Sequence, residues 1–148
     1  MKRIIPLLGV FVILLGCGNS KTPTAEVLSD PQRELCKTAI MSFIQAHAMM
    51  SDESGKIVQL NNEQTETMKS LLKTGIKAAS GVSDAYLTKV HPELAVQFRT
   101  HLVKGWELYL SGLDQSKLSL QVQGIQLVQK WEAFKEKNID YLYRAIIE

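Results

Sequence analysis

An all-α fold, a four-helix up-down antiparallel array, is what this sequence predicts, and three observations predict it. From residue 30 onward apolar side chains return every three or four positions, the helical period, and nowhere settle into the alternation of a half-buried strand. The periodic stretches are bounded by residues that start and stop helices, such as Asp30-Pro31 and Ser80-Gly81. The breaks between them are short, and short connections make consecutive helices antiparallel neighbours. With 45% hydrophobic residues the chain can bury one core, so residues 30–148 are expected to form one domain.

The first helix opens at Asp30, whose carboxylate caps free backbone amides, and at Pro31, whose fixed φ suits a first turn. Cys36, Ala39, Ile40, Phe43, Ile44, His47 and Met50 then share one face, and the helix should end near Met50. Residues 51–61 form a connector whose Ile57, Val58 and Leu60 are expected to pack back on the bundle. The second helix starts near Asn62 and turns Met68, Leu71, Leu72, Ile76 and Ala79 inward. Two breaks then look alike, Ser80-Gly81-Val82-Ser83 and Ser111-Gly112-Leu113-Asp114, each reading as a glycine stop followed by a new cap. The likeness reaches back to Leu72-Lys73-Thr74-Gly75-Ile76 and Leu102-Val103-Lys104-Gly105-Trp106, a possible internal repeat of about 30 residues. The third helix, about Asp84 to Ser111, carries Pro92, which must kink it or split it near His91. The fourth runs from about Gln115 almost to Glu148 and would be some 50 Å long if continuous.

Before these helices stands a leader. Lys2 and Arg3 make a basic start, and residues 4–15 are an almost unbroken apolar run, well short of the roughly 20 residues a spanning helix needs. The run ends in Leu14-Leu15-Gly16-Cys17, which resembles the lipobox of bacterial lipoprotein precursors. That resemblance, confined to the leader, implies cleavage after residue 16 and lipidation of Cys17. Small Gly16 admits a peptidase, and the Cys17 thiol can form a thioether to diacylglycerol. Gly18 stands where an aspartate would favour retention at an inner membrane, so an outer membrane facing the periplasm is the implied destination in a cell that has one. Residues 17–29, small and polar with Pro23, read as a tether of about a dozen residues with an average reach of roughly 20 Å.

Charge and cysteine content narrow the function. Of 17 basic residues Lys2 and Arg3 leave with the leader, and the remainder balance the 15 acidic ones, so there is no electrostatic case for nucleic acid. Only two cysteines occur. With Cys17 lipidated, Cys36 has no partner within the chain and reads as a buried small hydrophobe, with a free thiol or an intermolecular bridge as alternatives.

No catalytic residues, metal ligands or cofactor are expected. His47, His91 and His101 lack the three- or four-residue spacing that sets two imidazoles on one metal, although a haem or metal site between helices stays open as an alternative. Cys36 has no glycine-rich elbow or oxyanion-forming motif beside it. Glu132, Glu136 and Asp140 are interleaved with Lys135 and Lys137, as on a solvated charged face.

The excess is apolar. Trp106, Leu108, Tyr109, Leu110 and Leu113 spread over more of the circumference than one inward stripe needs, so some of them are expected on the surface as a partner-binding tip. Tyr141, Leu142, Tyr143, Ile146 and Ile147 make a second such patch. The resulting expectation is a membrane-anchored, non-enzymatic adaptor for another envelope protein. At the level of architecture alone it is similar to the small helical lipoproteins called pilotins, which chaperone secretion components. A haem- or metal-binding bundle and an immunity or exclusion lipoprotein are the alternatives.

Overall fold

The computed structural model describes residues 30–51 and 58–146, with side chains to Tyr143. The leader 1–16, the tether 17–29 with Cys17, and the apolar residues Ile57 and Ile147 lie outside the described residues. The protein is all-α, with no strand among the described residues. The helices are α1 (Pro31–Ala48), α2 (Asn62–Ser80), α3 (Asp84–Val90), α4 (Leu94–Gln97), α5 (Lys104–Asp114), α6 (Leu118–Lys137) and α7 (Ile139–Ile146). A π-helical turn, Phe98–Val103, joins α4 to α5 without a break. Among the described residues no helix is long and apolar enough to cross a membrane.

Local chemistry explains the starts. The Asp30 carboxylate accepts from the Gln32 N–H at 2.9 Å, ahead of Pro31 in the first turn. Asn61 and Gln64 form a reciprocal capping box, each side chain accepting from the other's backbone N–H at 2.8 and 2.9 Å. Ser83 Oγ accepts from the Tyr86 N–H at 3.2 Å and opens α3. Pro92 splits the expected third helix: it disfavours helical geometry in the residue before it, and His91 is extended at φ −154° and ψ 136°.

Three expectations need correction. Gly112 does not stop a helix; it is buried within α5, which continues to Asp114. α5 closes instead with Lys117 N–H donating to the Gly112 carbonyl at 2.8 Å and Ser116 N–H to that of Leu113 at 3.4 Å, a Schellman motif. Its left-handed residue is Ser116, at φ 53°. Asp114, expected as a fresh cap, instead pairs with Lys69 of α2 at 3.2 Å. Nor is the fourth helix continuous, because α6 ends at Asn138, whose side-chain amide donates to the Phe134 carbonyl at 2.9 Å. α7 then folds back against α1 and α3, which buries Leu142 to 6% exposure.

A serine at positive φ costs more than a glycine there, so Ser116→Gly is expected to raise stability by about 0.5–1 kcal/mol. A thermal melt tests this, and an unchanged or lowered midpoint would contradict it.

α1 packs on α2, α2 on α5, α5 on α6, and α6 on the π-helical turn. Between them lies a core that includes Cys36, Phe43, Met68, Leu72, Leu87, Leu94, Phe98, Trp106 and Trp131. Each large apolar side chain there contributes about 1.5–3 kcal/mol relative to exposure. The turn from α2 into α3 is clasped from two sides. Arg99, in the π-helical turn, donates to the carbonyls of Ala79 (2.7 Å) and Val82 and pairs with Asp84 at 2.9 Å. Gln32 of α1 donates to the Gly81 carbonyl at 3.2 Å and accepts from the Ser83 N–H.

Cys36 is fully buried, and burial pushes its thiol up to about 12, with the Arg99 charge pulling weakly the other way. The thiolate is the reactive form, so native protein should label slowly with a bulky thiol reagent and rapidly once unfolded. Rapid labelling of folded protein would contradict this packing.

Candidate binding groove

The tip expected from sequence is mostly interior. Trp106 is 1% exposed, stacked on Phe43 at 6.1 Å and 17°, and Tyr109 is buried edge-on to Trp106 at 5.8 Å. Leu110 and Leu113 are half-buried and pack against the core. Leu108 is half-buried at the edge of an open depression with Leu127 and a row of glutamines on α6. Trp106 and Tyr109 of the expected tip are therefore core, while Leu108, Leu110 and Leu113 keep part of their surface exposed. The burial of Trp106 and Tyr109 comes from packing on several sides, with Phe43 of α1 stacked on Trp106 and α2 and α6 packed on α5.

Exposed apolar side chains stand on α4 (Val96) and at the start of α6 (Leu118 and Val122), and a concave set gathers where α1, α6 and α7 meet. On α1, Ala39, Phe43 and Ala46 point to the core, while the neighbouring row of Ile40, Ile44 and His47 borders a cavity of about 180 Å³. Phe43, Leu102, Trp106 and Trp131 complete its apolar wall. A second cavity of about 220 Å³ adjoins it, sharing Ile40, Ile44, Trp131 and Lys135 and adding Ile139, Leu142 and Tyr143 from α7. Together they make one apolar groove. Its rim is well exposed: Ile44 is 47%, Ile139 54% and Tyr143 54% accessible. Met41, next to Ile40 on α1, is also exposed, as is Tyr141 on α7, whose ring stands edge-on to His91.

Polar groups are few. Lys135 and Glu132 form an ion pair at the groove's edge, and His47 stands edge-on to Trp106 at 6.0 Å. The Trp106 indole Nε1 is, among the described residues, the buried side-chain N or O atom with no hydrogen-bond partner, at a cost of about 1–3 kcal/mol. The atom is fully enclosed, so an acceptor reaches it only when a neighbouring side chain shifts.

The other titratable candidates do not converge. His91 packs edge-on to Phe134 at 5.5 Å and Tyr141 at 6.3 Å, and its Nδ1 accepts from the Glu93 N–H. His101 Nδ1 is hydrogen-bonded to Gln97 Oε1 at 2.7 Å. Among the described residues no three His, Cys, Asp or Glu side chains are placed to hold a metal ion. Glu132 and Lys135 form one local pair, while Glu136 and Asp140 are exposed.

Of the groove residues, Ile40 and Ile44 were expected on the inward face of the first helix and Leu142 and Tyr143 in the C-terminal apolar patch, while Ile139 carried no expectation. The available signal was the width of the α1 apolar face, two parallel rows where a core-facing helix needs one. No protein-family model, curated protein or solved structure matches the chain.

Proposed function

We propose that this chain is a lipoprotein of the bacterial envelope, cleaved before Cys17, lipidated on it and so held at a membrane, the outer membrane facing the periplasm where there are two. Its domain is a non-enzymatic adaptor, pilotin-like in role, that holds another envelope protein as a chaperone or assembly factor does. We propose a four-helix up-down array as the underlying plan, with α3 to α5 as one bent arm and α6, from which α7 folds back, as the last.

The observation that carries the binding role is the groove, an apolar recess rimmed by exposed Ile44, Ile139 and Tyr143. Surface hydrophobes scattered singly mean little, but a concave, contiguous set marks an interaction site. A helix about 10 Å across fills roughly 400 Å³ per turn, more than either cavity holds. The partner therefore rests its helix or loop on the rim and inserts one or two large apolar side chains, the usual form of an interface anchor.

The test compares two variants, each checked for helical content by circular dichroism. Photo-cross-linking from the Met41 position in intact cells should capture a discrete partner, which Ile44→Glu should abolish and Leu110→Glu should leave in place. Capture that survives Ile44→Glu but fails with Leu110→Glu would return the interface to the Trp106 to Leu113 tip.

A further inference from the structure

The groove also bears on the lipid. An apolar recess left open in the aqueous envelope invites non-specific association, so it needs a resting occupant that yields to a partner. The cavities, about 180 and 220 Å³, are too small for a helix but admit a single chain of methylenes, and their walls are apolar with charge only at the edge. The chain outside the described residues ends at Ser29, next to Asp30, the cap of the helix that carries Ile40 and Ile44. Asp30 lies about 20 Å along α1 from Ile44, a span shorter than the full extension of residues 17–29 at about 3.3 Å per residue.

We infer that the resting occupant is one of the acyl chains borne by this chain's own Cys17, and that a partner's apolar side chains enter by displacing it. The inference rests on the anchored-lipoprotein reading above. Tethering gives the acyl chain an effective concentration near the millimolar range, far above that of any free competitor. Methylenes are buried about equally well in groove and bilayer, so exchange between them is nearly neutral, and with a third acyl chain on the Cys17 amine two chains stay in the bilayer and keep the anchor stable.

The experiment feeds cells a diazirine-bearing fatty acid, irradiates intact envelopes, purifies the full mature chain and maps its cross-linked peptides. The expected product is a branched peptide joining lipidated Cys17 to residues 40–44 of α1 or 139–143 of α7. Its yield should fall about tenfold in Ile44→Glu, which sets a charge in an apolar site. Labelled Cys17 that cross-links only to other lipids overturns this inference and leaves the anchor standing. Groove peptides carrying free lipid in place of the Cys17 peptide overturn it too, by making the occupant a membrane lipid. A mature chain without lipid on Cys17 overturns both readings.

Discussion

Gly124→Val is expected to destabilise the domain by about 3–5 kcal/mol, a large share of the 5–15 kcal/mol that holds a typical domain folded. α5 and α6 approach backbone to backbone at this position. A Cβ on Gly124 would lie 2.5 Å from the Gly105 carbonyl oxygen and 2.7 Å from the Tyr109 backbone nitrogen. Across the seam, a Cβ on Gly105 would meet the Gly124 carbonyl oxygen at 2.9 Å and Val128 Cγ2 at 2.8 Å. Backbone cannot step aside as a flexible side chain can, so the helices must separate, and they carry Trp106, Val128 and Trp131 with them. Gly81→Ala is the matched control: that residue is helical at φ −84° and its nearest contact is a leucine methyl at 3.1 Å. Thermal melts should show a collapse for the first and a small shift for the second. A Gly124→Val protein that melts near the parent would show that the seam is looser than described.

The second large effect concerns Cys17. Replacing it by alanine should abolish lipid incorporation and block cleavage by the lipoprotein peptidase, leaving a precursor held by its uncleaved leader. A chain beginning at Gly18 behind an ordinary cleavable leader should be released in soluble form. The reason is additive burial: each methylene contributes about 0.8 kcal/mol, so one acyl chain holds marginally and the two of a diacylglycerol hold stably. No described helix is long and apolar enough to replace them. If the chain beginning at Gly18 still sediments with membranes in high salt, the helical domain itself binds the membrane.

The elements that sequence made legible are those whose cause is local. Asp30, Asn61 and Ser83 cap helices because a short polar side chain sits one residue before a periodic run, and Pro92 divides the third helix through its own ring. What stayed hidden depends on partners distant in sequence. Gly112 reads as a stop because glycine serves stops and close contacts alike, and only Gln121 and Lys117 of the facing strand of chain, 2.6 and 2.9 Å from its would-be Cβ, distinguish the two. Gly75 and Gly105, noticed as a repeat, share such a role, the first beneath the Phe43 ring and the second beneath α6. Trp106 looked surplus because its cover comes from other helices, Phe43 of α1 on its ring and α2 and α6 packed on α5. Ser116 and Asn138, unremarkable in a polar stretch, turn the chain at the two places where helix boundaries were misplaced. The groove was half legible: the α7 tyrosines stood out as an apolar patch, but the fold-back at Asn138 that sets them against Ile40 and Ile44 did not.

The central claim is that this is a lipid-anchored binding domain, and intact-mass measurement of the full chain extracted from envelopes tests its anchor directly. The account predicts a polypeptide beginning at Cys17 that carries the added mass of a diacylglyceryl group, with or without a further acyl chain on the amine. A mature chain beginning elsewhere, or beginning at Cys17 with no lipid attached, would contradict it.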